Sequence, residues 1–495
     1  MQPEPVVQPG TMRHGIFYDD DDYRFLEIVN RIIARGRTPS NLRKLFETDL
    51  HPHGIKELGA PRAIRIATAM IDLIGTLERG TAQERIAALR AVREESIHQG
   101  GKTLRLNGAR VLLQIMKEIL RATDDEKRQL ALAHDFRQAS SGKARRIRAQ
   151  LRKYHLLEMP EAWNQLAFDY HVHDANTKGR KTPTHLIMDA WIKGIRDLGV
   201  IYYSMIRPEA AAELLEAADI MGITIRIGIE VTANLRGKPV NLMWIPRGFM
   251  GSDDFLSFLK EHQVEKFFAR GRDVVEFETN RVLALLDAFN SRHLDAINER
   301  FDIQVPELNK EAFVEYVGTG QASLVHLAEF AHAAILEQLQ QRTASLSQKY
   351  DEGTAEQQQD IRELIASFNE FDSEALVEQY LRPEMNPGVP HPTAPMEGGE
   401  PPKLLRLSPS AMLDRLERLP CRSRITLNPS NLTPAEVLEI LYAGRGRITH
   451  LEIFNLKDWA HGRVTHRERI NQIRLVINRG NVLEAKQLVR EIMAA

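Results

Sequence analysis

Apolar residues recur at three- and four-residue spacing through most of the first 155 positions, the period of amphipathic helices. Ile64, Ala67, Ile71 and Ile74 form one stripe in 61–78; Val111, Leu112, Ile115, Met116, Ile119 and Leu120 form another in 109–122. Between them, Thr81-Ala-Gln-Glu84 carries the residues of a capping box. The acidic run 19–22 precedes a further stripe at 23–29. Carboxylates there complement the helix dipole and predict a cap rather than a metal site. The pattern predicts a disordered, Pro- and Gln-containing N-terminus, 1–18, followed by an all-helical domain, 19–158.

From about 165 to 250 the period changes. Residues 168–174 read as a short strand entering a polar turn, 175–179. Thr182-Pro183 then opens a helix with Ile187, Trp191, Ile195 and Leu198 on one side, closing near Gly199. A compact strand follows at 200–203, a helix after Pro208 that Gly222 ends, and a strictly alternating strand at 223–231. A tight turn, 236–239, leads to another strand at 240–245. Strands joined by short helical links predict parallel pairing with right-handed crossovers, and functional groups at the C-terminal strand ends. The fold class expected is α/β: a distorted, TIM-like β/α barrel with parallel strands, preceded by the helical domain.

The barrel's first part is expected over 159–335, with a helical insertion and a Pro/Gly-rich linker over 336–403. Strand and helix patterns resume over 404–495, which is expected to complete the barrel. The long helices of 322–380 are a candidate surface for self-association.

Composition narrows the classes. Lys plus Arg (66) nearly equals Asp plus Glu (67), so no global field favours nucleic acid or an anionic membrane. The basic run 143–153 lacks interleaved aromatics and reads as a solvated helix face, with nucleic-acid binding the weaker reading. One cysteine, Cys421, excludes a disulfide framework within the chain and a cysteine-based zinc cluster. No apolar run reaches the ~18 residues that span a bilayer, and 1–15 lacks the apolar core of a signal peptide. A cytoplasmic protein without a membrane partner is expected.

The chemistry concentrates at Phe168-Asp-Tyr-His171-Val-His173-Asp174. Side chains two apart on a strand share a face, so His171 and His173 project together at a strand end. Glu230 falls on a strand end two units further on. Neutral imidazoles and a carboxylate make a donor set for zinc, manganese or iron. The competing reading is two histidines bonded to backbone or water. Along 322–350, His326, Glu329 and His332 recur at helical spacing; His326 is the candidate for a further ligand, against a partly buried histidine on an amphipathic helix.

Asp-Tyr-His-Val-His-Asp, the helix ending Asp-Leu-Gly, and Ile-Gly-Ile-Glu-Val together resemble the polymerase and histidinol phosphatase (PHP) family. The resemblance implies a distorted β/α barrel that holds up to three metal ions and hydrolyses phosphoesters. It matches His171 and His173 to the family's opening His-x-His and Glu230 to its Gly-x-Glu strand. The stretch 447–455, with Glu452 and Asn455, is similar to a later Glu-x-x-Asn strand. The chain departs from the family elsewhere. Ser204-Met205-Ile206 stands where Thr-Asp-His is expected, Asn241 where a histidine is expected, and no closing Asp-x-His precedes Ala495.

Two functions follow as expectations. The first is a divalent-metal-dependent hydrolase of the phosphoesterase kind, acting on a small anionic or phosphorylated substrate. His171, His173, Glu230 and His326 are its candidate ligands, Asp174 a base or a residue that orients a histidine, and Arg247, Lys178 and Arg180 its anion clamp. The second is a barrel that has lost its catalysis and serves as a regulatory or scaffolding protein.

Overall fold

The computed structural model describes residues 18–35, 62–98, 104–159, 168–389, 400–452 and 466–494. Residues 1–17 of the expected N-terminal disorder, 390–399 of the expected 382–402 linker and Asn455 lie outside them; the first residues of that linker form a short 3-10 helix, Pro383–Met385. The chain splits into two compact units. One is Met1–Tyr170 with Lys181–Leu198 and Ala212–Ile225; the other is His171–Arg180, Gly199–Ala211 and Arg226–Ala495.

The first unit is helical. Its helices include Asp20–Arg35, Arg62–Arg79, Ala82–Arg93, Arg105–Arg121, Glu126–Ser140 and Ala144–Lys153. Apolar stripes close on one another: Met70, Leu73, Leu113, Ile115, Met116 and Phe136 are fully buried. Thr81 and Glu84 make the reciprocal capping box that their spacing predicts. The acidic run caps as expected, Asp22 N–H donating to Asp19 Oδ1, and its charge is met by Arg137, which bonds Asp19, Asp21 and Asp22. In the basic run, Arg148 pairs with Glu158 and Lys153 with Asp135, while Ile147 and Leu151 turn inward.

The helices Pro183–Lys193 and Pro208–Met221 belong, apart from the first residues of the second, to this unit. The first ends earlier than its apolar spacing predicts. Gly194 takes φ +84° and stops it, so Leu198 lies on a strand instead. Glu213 is buried and accepts from Arg85 at 2.8 and 2.6 Å and from the Thr184 hydroxyl at 2.7 Å. Asp189 likewise sits between Lys117, at 2.6 Å, and Lys181.

Among the described residues one sheet has six strands in the order β1 (Phe168–Val172), β2 (Asp197–Tyr203), β3 (Thr224–Leu235), β4 (Lys238–Arg247), β5 (Arg422–Asn428) and β6 (His450–Leu451). The C-terminal segment thus enters the same sheet as the His-x-His strand. The expectation of parallel strands throughout is corrected at β4. It pairs antiparallel with β3 from Leu235↔Lys238 to Ile229↔Trp244, and antiparallel with β5; β5 and β6 are parallel. The cause is local. Arg236 and Gly237 both have positive φ, +54° and +88°, the conformation of a two-residue hairpin turn whose twist matches its strands. Such a turn sends the chain straight back and leaves no crossover.

If flat, six strands about 4.8 Å apart would hold β1 and β6 about 24 Å apart. Yet His171, on β1, bonds Glu452, just past β6, at 2.7 Å. The sheet is therefore curled into a half-barrel, with His171 and Glu452 meeting across its open side. A second core in this unit is helical and runs from Val282 to Leu381, centred on Phe289, Phe301, Phe313 and Ile335.

Candidate metal centre

β1 and β2 end at neighbouring positions and set the centre. His173 hydrogen-bonds the Ile201 carbonyl through Nδ1 at 2.8 Å. That bond requires the proton on Nδ1 and leaves the lone pair on Nε2. His173 Nε2 is buried and has no hydrogen-bond partner among the described residues. The His171 ring lies 5.0 Å from that of His173, its Nδ1 held by Glu452 at 2.7 Å and its Nε2 3.5 Å from Glu230 Oε2. The other Glu452 oxygen, Oε2, is buried with no hydrogen-bond partner among the described residues. Glu230 reaches this point because β3 continues past β2, whose last turn bonds back to it: Ser204 N–H donates to the Glu230 carbonyl at 2.9 Å.

Electrostatics separate the two imidazoles. Burial would push both down. In His171 the carboxylates of Glu230 and Glu452 more than reverse that, raising it to about 9. In His173 burial, with Lys178 and His171 nearby, lowers it to about 3 and keeps it neutral. The Tyr203 ring lies 5.1 Å from that of His173 and has Lys178 Nζ 5.7 Å from its centroid. Burial, then Glu230, pushes the Tyr203 phenol well above its ordinary value.

The remaining residues singled out in the sequence take other positions. Asp174 is fully buried, accepting from the Tyr202 hydroxyl at 2.8 Å and from Asn176 N–H at 2.8 Å, so it pins the turn after β1. Arg180 stacks on Tyr316, 3.7 Å from its ring, and pairs with Glu329 at 3.4 Å. His326 is buried against the Gln321 and Gly179 carbonyls, and burial, then Arg180, lowers it. Asp174, Arg180 and His326 are held by these other partners. Arg247 is carried elsewhere by the antiparallel course of β4. Its register partner is Arg422, the first residue of β5, and it lies about 14 Å along the strand from Met243, the partner of Glu230. Asn241, in place of a histidine, accepts from the Thr232 hydroxyl at 3.0 Å. Of the candidate clamp, Lys178 alone has a described contact at the centre.

The 174–179 turn is rigid. A Cβ on Gly179 would fall 2.3 Å from the His173 carbonyl oxygen, and one on Gly320 2.5 Å from that of Thr177. Only glycine admits backbone that close, so the segment before helix Leu324–Glu352 clamps the turn bearing Lys178.

The donors fit a divalent ion by type and by their outer partners. Metal-ligating histidines characteristically donate their other ring N–H to a carboxylate or a carbonyl, as His171 and His173 are placed to do with Glu452 and Ile201. Two donors sharing a tetrahedral ion at about 2.1 Å stand about 3.4 Å apart, close to the 3.5 Å between His171 Nε2 and Glu230. Among the described residues, no three or more His, Cys, Asp or Glu side chains are already gathered tightly enough to hold an ion.

No family model and no curated protein matches the chain. Among solved structures, it is similar to a Bifidobacterium adolescentis protein named as a metal-dependent phosphoesterase, with TM-score 0.38 and 13% identity over 64% of this chain and 84% of that one. It is also similar to an amidohydrolase from Chromobacterium violaceum with bound sulfate and no metal, with TM-score 0.37 and 14% identity over 60% of this chain and 81% of that one. At that level of likeness neither neighbour bears on the chemistry, which the side chains of the centre must carry.

Proposed function

We propose that the chain is a divalent-metal-dependent hydrolase, of the phosphoesterase kind that its resemblance to the PHP family implies. One observation carries the reading. His171 and His173 leave one strand with each Nδ1 engaged, and a partly buried carboxylate, Glu230, stands 3.5 Å from the Nε2 of His171. His171, His173 and Glu230 would hold the ion, which is zinc, manganese or iron by donor type. A bound divalent ion supplies Lewis acidity, polarising a phosphoryl oxygen and acidifying water at neutral pH. Glu452 orients the His171 ring, and the Ile201 carbonyl fixes the His173 tautomer. Lys178, beside Tyr203 on the clamped turn, attracts and positions the anionic substrate. Asp174 holds that turn in place.

The test is elemental analysis of purified protein beside His171→Ala/His173→Ala, followed by assay of a generic phosphomonoester with added zinc, manganese or iron. Bound metal and metal-dependent turnover in the wild type, both lost in the variant, are expected. Near-zero metal in both proteins would leave the non-catalytic scaffold, the reading favoured by Ser204-Met205-Ile206 and by the Asn241–Thr232 bond.

A further inference from the structure

A cavity of about 430 Å³ lies between the start of helix His262–Arg292 and the end of helix Pro409–Glu417, which leads into β5. β5 runs about 14 Å from its first residue, Arg422, to Thr426, the register partner of Met243, which pairs in turn with Glu230. The cavity therefore lies apart from the candidate metal centre.

Its lining is one-signed. Lys266 and Arg270 come from one helix, Arg415 and Arg418 from the other, with Gln263 and the buried Phe267 and Leu419 beneath; no acidic residue lines it. None of the four cations forms an ion pair with a described residue. Asp414 and Glu417 pair with Arg447, and Glu265 falls on the far side of its helix, while Asp273 follows Arg270 by one turn on the same face. Like charges three and four residues apart repel modestly, and a bound anion relieves that repulsion. The first turn of helix His262–Arg292 adds the positive end of its dipole. Guanidinium forks take phosphoryl oxygens two at a time, and four cations spread along the two sides of the cavity can reach more than one phosphoryl group.

We propose that this cavity binds a small oligophosphate, an anion carrying two or more phosphoryl groups. The assignment does not depend on hydrolysis at His171. Calorimetric titration of the full chain with inorganic tripolyphosphate, and separately with ATP, tests it at low and at high salt.

Saturable binding that weakens with salt is expected, together with at least a tenfold loss in Arg270→Gln/Arg418→Gln. Arg415→Gln/Arg418→Gln, at two exposed positions, gives the same loss in a variant whose fold is checked by circular dichroism. Equal affinity for the two probes supports the inorganic chain as the ligand. Tighter ATP supports a nucleotide whose base rests on Phe267 and Leu419. Absence of binding to both probes would overturn the proposal. Binding that survives both double variants, or that disappears in His171→Ala/His173→Ala, would do the same. Much tighter binding of a single-stranded oligonucleotide through the same arginines would replace the small ligand with nucleic acid.

Discussion

Each unit buries a polar cluster, and the two are built on opposite principles. In the helical unit, Glu213 meets Arg85 and Thr184, and Asp189 meets two lysines, so each buried carboxylate is answered by positive charge. In the sheet unit, two carboxylates converge on one imidazole, which they raise to about 9, while His173 Nε2 and Glu452 Oε2 are buried with no partner among the described residues. The first arrangement closes its interactions and stabilises. The second leaves two polar atoms open, at a desolvation cost that a bound cation would relieve.

The comparison breaks first where it is strongest. Glu213→Ala strands the Arg85 guanidinium and is expected to cost about 3–5 kcal/mol in urea unfolding; a loss under ~1 kcal/mol would show that the pair does not stabilise. Gly179→Ala drives a methyl group into the His173 and Asp174 carbonyls, at about 1–3 kcal/mol, and moves His173 as well. Both melting temperature and metal content should fall, whereas an unchanged melting temperature would mean that the turn yields. Glu452→Gln removes a charge from the open cluster. Metal affinity should drop about 10–100-fold with unfolding free energy little changed, and the reverse outcome would class Glu452 with the closed kind.

The smallest effect is on pH dependence. Burial raises the Glu213 carboxyl, but Arg85 and Thr184 outweigh it and hold it below its ordinary value. Its contribution is therefore fully present above the unfolded-state pKa, about 4.3, and is lost as pH falls through the lower folded-state value. Stability should fall on acidification, less steeply in Glu213→Gln; identical slopes would remove Glu213 from the acid transition.

Local chemistry was legible in the chain. Thr81 and Glu84 announce a cap, alternation announces β3, and His-x-His announces two rings on one face. The direction of β4 was written in Arg236-Gly237, but two positive φ values are not legible where one residue is an arginine. Arg247 was misplaced with it. Glu452 could be reached only through the family resemblance, because its bond to His171 joins residues 281 apart and depends on how far the sheet curls. His326 has the spacing of a ligand, yet the backbone it packs on decides where the ring lies.

That same bond sets a schedule for biosynthesis. The strand bearing His171 leaves the ribosome long before Glu452 exists. At about 5–20 residues per second, the 281 residues between them take roughly 14–56 s to translate. Throughout that interval the nascent chain can shape its helical unit but cannot assemble the centre. Any reactivity there arrives only once Glu452 has been made.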